Sequence, residues 1–353
     1  ILFSVLCTVF EQPLLNLLGV SSETARATAG YMKWTVLWGA TPAILNVVMA
    51  YLVRAEGSAL HASVGTMSGC LLNIVLDPVF VLPWGLNMGA EGAGLATFLS
   101  NCVACIYFFV LLFVKRGKTY VCIRPRMFSM KKEIVTGVCG VGIPASIQNL
   151  LNVTGMTVLN NFTSGFGSDA VAAMGISQKI NMVPMNISMG LSQGIMPLIS
   201  YNYGSRNVNR MKKTLFFALK IALTFILVVA AGYYVFAPQL TGLFMEKDTI
   251  IAYGTRFLRG FCLGLPFLCM DFMAVGVFQA TGKGKEAFLF AVLRKIVLEI
   301  PALFLLNMLF PLYGLAYAQF TAEVILAVAA VLVLARIFRN LEKEMNGGGT
   351  LHS

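Results

Sequence analysis

Four acidic side chains interrupt the long apolar runs of this sequence, at Asp77, Asp271, Glu299 and Glu323. A charged group in apolar surroundings is costly, so an acid placed there is a candidate for proton transfer or cation binding. A histidine metal site is not expected, because the chain has only 2 histidines, and no metal or other cofactor is predicted. The acids are therefore the first candidates for chemistry.

Asp271 is the strongest of these candidates. It lies in the apolar stretch 268–273 and has no basic residue within one helical turn. An unpaired acid in such a place would either be protonated or hold a cation. In either state Asp271 could couple transport to an ion, so it is predicted to be an ion-coupling residue. The alternative is that Asp271 only hydrogen-bonds a neighbouring helix.

Asp77 and Glu299 favour a structural interpretation. Each stands close to a proline, and an acid can hydrogen-bond the backbone that a proline disrupts. Glu299 also follows Lys295 by four positions, the spacing of an ion pair on one helix face. For the cluster that Glu299 forms with Arg294 and Lys295, a functional role stays open.

Two predicted membrane helices, 134–161 and 170–200, are unusually polar. Amides facing lipid would be costly, so these side chains are predicted to line a water-filled substrate cavity, with hydrogen bonding between helices as the alternative. The cavity candidates are Gln148, Asn149, Asn152, Gln178, Lys179 and Asn181.

The composition shows what must position these residues. Of 353 residues, 58% are apolar and 12% charged, and the mean hydropathy is +0.80. Soluble domains carry about 25% charged residues, so the chain is predicted to be an integral membrane protein. Membrane proteins concentrate Lys and Arg in cytoplasmic loops, which explains the net charge of +11 without nucleic acid as a partner.

Ten segments are long and apolar enough to cross a bilayer, which needs about 20 residues per helix. They are 1–20, 32–53, 62–83, 92–114, 134–161, 170–200, 214–237, 257–279, 286–310 and 313–336. Lys and Arg gather in alternate connections and after residue 336, which predicts a cytoplasmic carboxyl terminus.

An internal repeat predicts the domain organisation. Pro13, Gly39 and Gly57 recur 225 residues later, but the half from residue 134 has six predicted helices and the first half only four. The repeat therefore predicts roughly 90 residues upstream of residue 1 and an all-α fold of two parallel six-helix bundles. The predicted parts are an incomplete N-terminal bundle (1–114), a cytoplasmic linker (115–133), a C-terminal bundle (134–340) and a tail (341–353).

Several motifs, in this order, make the sequence resemble the multidrug and toxic compound extrusion (MATE) transporters. They are Arg-Ala-Glu-Gly at 54–57, Asn-Ile-Val-Leu-Asp-Pro at 73–78, Gly-Ala-Glu-Gly-Ala-Gly-Leu-Ala-Thr at 89–97 and Gly-Leu-Ser-Gln-Gly-Ile-Met-Pro-Leu at 190–198. The resemblance implies that the third to twelfth family helices are present. It also implies a plasma-membrane antiporter that exports organic, often cationic, compounds in exchange for Na⁺ or H⁺.

The resemblance also bears on the site. Na⁺-coupled members carry an acid on the tenth helix, where Asp271 stands. Some members carry an acid on the seventh helix, but here that helix has none beyond Glu133 at its cytoplasmic edge, and Asn152 lies near where the acid would fall. We expect no enzyme activity and a monomer that contacts lipid and small organic cations.

Two other functions remain as alternatives. A flippase for lipid-linked saccharides would line its cavity with Arg for phosphates, and the two polar helices offer only Lys179. An intramembrane transferase would show clustered acids or histidines at one membrane face, and the sequence shows no such cluster.

Overall fold

The computed structural model describes residue 4, residues 22–122, residue 127 and residues 129–347. The predicted first span, 1–20, with Pro13 and Glu11, lies outside the described residues apart from Ser4. Within the described ranges all regular structure is helical. The chain divides into two compact units, Ile1–Phe128 and Ser129–Ser353, and the division falls inside the predicted linker 115–133.

The described part of the first unit contains four α-helices. They are α1 (Ser22–Met32), α2 (Ala40–Ala55), α3 (Ala59–Val81) and α4 (Gly89–Val114). A π-helical segment, Lys33–Trp38, joins α1 to α2, and the chain bends by 49° at the break. A Cβ on Gly39 would lie 2.7 Å from the Thr35 carbonyl oxygen, so the bend needs glycine here. The predicted span 32–53 was wrong in its start, because residues 22–31 are helical although they are polar.

Small residues let α3 and α4 approach closely. The Phe108 ring of α4 lies where a Cβ on Gly65 would be, and Gly69 packs against Ala104. Small residues at helix contacts are a common way to pack helices in membranes.

The second unit holds the remaining helices. They are α5 (Lys132–Ser164), α6 (Ser168–Gly204), α7 (Val208–Val235), the short α8 (Ala237–Gly242), α9 (Asp248–Ala280), α10 (Gly284–Val292), α11 (Ile300–Leu309) and α12 (Gly314–Gly347). The last helix runs on into residues predicted as a tail, and α9 begins nine residues before the predicted span 257–279.

Helix α9 is the core of the second unit and carries Asp271. It packs against α6, α7 and α12, and most of its side chains from Leu258 to Phe278 are buried. Glycine permits two of these contacts: a Cβ on Gly260 would lie 2.8 Å from the Ala316 Cβ of α12, and Gly276 faces the Ser192 hydroxyl of α6.

A second π-helical segment, Leu293–Glu299, joins α10 to α11 within what the sequence predicts as one span. It carries Arg294, Lys295 and Glu299, all buried. The wider turn changes which side chains share a face, and short π segments are frequent at functional sites.

Six of the described helices are each long and apolar enough to cross a membrane, and the bent pair in the first unit would make seven. Helix α6 does not reach that level of hydropathy, and the α10–α11 stretch is divided by its π segment. Both elements carry buried polar side chains, such as Asn181 on α6 and Arg294 in the π segment.

Candidate functional site

Asp271 lies at the centre of the second unit and is 1% exposed. Neither of its carboxylate oxygens has a hydrogen-bond partner among the described residues. Glu323 of α12 and Arg294 of the π segment lie within electrostatic range of it. A buried ionised carboxylate without partners is strongly unfavourable, so Asp271 requires a proton or a cation for neutrality.

Arg294 and Glu323 form a buried ion pair next to Asp271. The Nη2 and Nε of Arg294 donate to the same oxygen, Glu323 Oε1, at 2.6 and 2.8 Å, and the two side chains are 6% and 0% exposed. The other oxygen, Glu323 Oε2, receives no hydrogen bond from the described residues. The guanidinium also lies 5.3 Å from the centroid of the Phe272 ring, a cation–π contact that fixes its position.

Lys295 and Glu299 form a second buried pair, as their spacing predicts. The Lys295 Nζ lies 2.7 Å from Glu299 Oε1 and 2.6 Å from Oε2. Helix α5 passes close by, because a Cβ on Gly155 would lie only 3.1 Å from both Cδ and Nζ of Lys295. Glycine at 155 therefore leaves room for the pair.

The buried charge cluster consists of Asp271, Arg294, Lys295, Glu299 and Glu323. Arg294 lies within electrostatic range of all three acids of the cluster, Glu323, Glu299 and Asp271. With every group ionised, 3 acids oppose 2 bases, an excess of one negative charge. One monovalent cation or proton would make the cluster neutral.

A cavity of about 70 Å³, lined by both polar and apolar side chains, lies beside the cluster within the second unit. Its lining residues are Asn152, Gly155, Met156, Leu159, Gln178, Asn181, Met182, Met185, Phe261, Phe272, Arg294, Lys295, Glu299 and Gln319. Pockets for drug-sized ligands measure about 300–1,000 Å³, so this one suits a few water molecules or the charged end of a larger compound.

The structure brings three of the six predicted cavity residues to this cavity, namely Asn152, Gln178 and Asn181. The other three lie elsewhere on the polar helices: Gln148 is half-buried, and Asn149 and Lys179 are exposed.

Two amides on the cavity wall have different surroundings. Gln178 Nε2 donates to Asn160 Oδ1 at 3.2 Å, so it joins α6 to α5. The Asn181 Oδ1 is buried and accepts no hydrogen bond within the described part of the chain. It is therefore an acceptor available to a ligand or water in the cavity.

Asp77 belongs to the first unit and is half-buried on α3. It accepts a hydrogen bond from Asn73 Nδ2 at 3.4 Å, one turn earlier on the same helix. The partner is thus a side-chain amide and not the backbone that the proline argument predicts.

Sequence reasoning named Glu323 but gave it no role, and it did not anticipate the contact with Arg294. One signal was available: Gln319 and Glu323 are four residues apart and so share a face of α12, which indicates a polar surface turned towards the bundle interior. No group of three or more His, Cys, Asp or Glu side chains that could hold a metal ion occurs among residues 22–122 and 129–347.

Long apolar helices around buried and partly unpaired charges define a membrane transporter, because intramembrane charges mark solute and ion pathways. Comparisons with known proteins identify the kind. The family model MatE matches residues 144–305. The multidrug export protein MepA of Staphylococcus aureus is 33% identical over 328 residues, which are 92% of this chain and 70% of MepA. MepA of Staphylococcus saprophyticus is 33% identical over 337 residues, 94% and 72% of the two chains.

Solved structures agree with this result. An outward-facing multidrug resistance MATE family transporter of the MOP superfamily has a TM-score of 0.90 and 27% identity, covering 97% of this chain and 76% of its own. A Pyrococcus furiosus transporter, described as having a binding pocket of reverse polarity that suggests a different function, has a TM-score of 0.89 and 27% identity, covering 97% and 77%. The chain belongs to the MATE family of efflux transporters and has its all-α membrane fold.

Proposed function

We propose that this protein is a secondary antiporter that exports organic, often cationic, compounds in exchange for Na⁺ or H⁺ by alternating access. The observation that carries the proposal is the buried Asp271, whose two oxygens have no partner among the described residues. It belongs to a charge cluster that lacks one positive charge and that borders a cavity. The export proteins that resemble the chain support the same function.

The cavity wall suits organic cations of varied shape. Met156, Met182 and Met185 present flexible, polarisable side chains that adapt to different apolar surfaces. Phe261 and Phe272 add aromatic faces, which attract cations. Because the cavity holds only the charged end of a drug-sized compound, we propose that its apolar part extends outside this pocket.

Asp271 is the proposed coupling residue. Loss of its proton or ion leaves the cluster with one excess negative charge, and arrival of a cationic substrate restores neutrality. The coupling ion and the cationic substrate therefore compete, because each neutralises the same excess negative charge. Such competition is the requirement for antiport. Asn152 of α5 lies on the cavity wall and carries no charge, so α5 supplies no second acid to this cavity.

The proposal also covers the location of the protein, its oligomeric state and the roles of two other acids. The protein is a multi-pass monomer in the plasma membrane with a cytoplasmic carboxyl terminus, and it needs no cofactor besides the coupling ion. Glu299 holds Lys295 in the cavity wall, and Asp77 has a structural role on α3.

A flippase for lipid-linked saccharides is the second candidate, and one observation favours it. Arg294 and Lys295 line the cavity, in addition to the exposed Lys179 that the sequence suggests. Both cations are already paired with carboxylates, however, so neither is free to bind a phosphate. The exporter is therefore the better-supported function.

Expression in a drug-sensitive bacterial host tests the proposal. The exporter lowers cellular ethidium and raises resistance to it, and the Lys212→Met variant, altered at a partly exposed ion pair away from the cluster, does the same. Translocation of lipid-linked saccharide without any ethidium export would overturn the proposal in favour of the flippase.

A further inference from the structure

The neighbouring acids Asp271 and Glu323 have three buried carboxylate oxygens that receive no hydrogen bond from a donor among the described residues. They are both oxygens of Asp271 and the Oε2 of Glu323. The two side chains are 1% and 0% exposed, so water does not reach them freely. Two buried carboxylates so placed repel each other unless something positive lies between them.

The surroundings of the two acids offer one positive charge. From the π segment, Arg294 faces both acids, and its N–H groups already lie on Glu323 Oε1. Lys295 on the same segment is held by Glu299. The short helix α8 contains no charged residue.

Helices α6 and α7, which also pack against α9, place no unpaired positive charge near the two acids. Helix α6 meets α9 near Asp271 with Ser192, which donates to the Phe272 carbonyl oxygen at 2.6 Å, and its Lys179 is exposed. On α7, Lys212 is paired with Glu342.

We propose that Glu323 is a second carboxyl of the coupling site and that one proton is shared between Asp271 and Glu323. This inference rests on the proposed function and specifies its ion. Hard metal cations take about six or more oxygen ligands, whereas three free oxygens suit a single O–H···O⁻ bond. Pairs of carboxyl groups that cannot both ionise share one proton in the same way in aspartic proteases.

The shared proton makes the cluster neutral, with two negative and two positive charges. A monovalent organic cation that enters the cavity beside Glu299 adds one positive charge. The O–H bond then breaks, the proton leaves to water, and the cation takes over its charge with no electron transferred. The structure thus predicts exchange of one monovalent cation for one proton.

Ethidium binding in weakly buffered detergent solution, followed with a pH-sensitive dye, measures this exchange. The unsubstituted chain is expected to release about one proton per ethidium bound. Asp271→Asn and Glu323→Gln are each expected to release close to none, because the remaining charges already balance. Glu342→Gln, altered at a partly exposed pair on the same helix as Glu323, is expected to release as many protons as the unsubstituted chain.

A double variant separates the inference from the proposed function. Asp271→Asn combined with Arg294→Gln leaves Glu323 without a counter-charge, so proton release should return to about one per ethidium. If release stays at zero, Glu323 is not part of the site, and Asp271 remains the coupling residue. If Asp271→Asn alone releases as many protons as the unsubstituted chain, the proposed coupling role fails as well. Release of Na⁺ without protons overturns the choice of ion.

Infrared difference spectroscopy covers the case in which the double variant does not fold. Glu323→Asp keeps the charge and shortens the side chain by one methylene. If Glu323 shares the proton, this variant shifts the band of the protonated carboxyl group that disappears when ethidium binds. A band with the same position as in the unsubstituted chain overturns the inference.

Discussion

Removal of Arg294 tests whether the buried charge cluster is held by the Arg294–Glu323 pair. In Arg294→Met, Glu323 loses both of the N–H groups that donate to it, at 2.6 and 2.8 Å, in a position that is 0% exposed. Removing one partner of a buried pair costs about 3–5 kcal/mol of unfolding free energy. At about 1.4 kcal/mol per tenfold, this is a change of more than 100-fold in the unfolding equilibrium.

Two control variants show whether the loss of stability in Arg294→Met comes from the broken buried pair. Arg294→Met combined with Glu323→Leu removes both charges and should recover most of the loss, since apolar replacement of a whole buried pair is often neutral. Lys212→Met breaks the pair with Glu342, whose side chains are 30% and 42% exposed, and should cost about 0–1 kcal/mol.

The assay must report on the second unit. The 3 tryptophans, at positions 34, 38 and 84, all lie in the first unit, so their fluorescence does not follow unfolding around Arg294. Cys269 is 0% exposed on α9, and in a chain that keeps it as the single cysteine, its labelling by a thiol reagent during titration with a denaturing detergent measures the local unfolding. The reasoning is refuted if Arg294→Met costs no more than Lys212→Met, or if the double variant is as unstable as Arg294→Met.

Two further predictions concern packing and topology. Gly155→Val places methyl groups against Lys295, where a Cβ already lies at 3.1 Å, so it should lower stability by about 1–3 kcal/mol and weaken ethidium binding. Gly175→Val on α6, with no neighbouring atom within 4 Å of its Cβ, is the control, and equal losses in the two variants would contradict the argument. In a chain without its natural cysteines, Lys343→Cys should react with an impermeant maleimide only from the cytoplasmic side and Lys247→Cys only from outside; the same side for both would contradict the orientation.

The sequence was sufficient for the fold class because membrane spans leave a strong signal in composition and length. Nine of the ten predicted spans have a helical counterpart among the described residues, and the first lies outside them. Helix ends were harder to predict. Residues 22–31 are polar yet helical, and the start of α9 at Asp248 lies in a polar stretch, so hydropathy could not locate these ends.

The site was predictable only where one helix contains both partners. The Lys295–Glu299 pair follows from a spacing of four residues. The contact of Arg294 with Glu323 joins groups 29 residues apart on different helices, and neither repeat nor periodicity specifies it. The π segment also rearranges the faces of the predicted span 286–310, which a regular helical period does not reveal.

The coupling of drug export to ion movement is the central claim, and Asp271→Asn tests it most directly. Membrane vesicles that contain the transporter are given an imposed proton or Na⁺ gradient, and ethidium transport and ion flux are recorded together. The account predicts that Asp271→Asn abolishes gradient-driven ethidium transport and the accompanying ion flux, while Glu342→Gln transports with the coupling ratio of the unsubstituted chain. An unchanged ethidium-to-ion ratio in Asp271→Asn would contradict it.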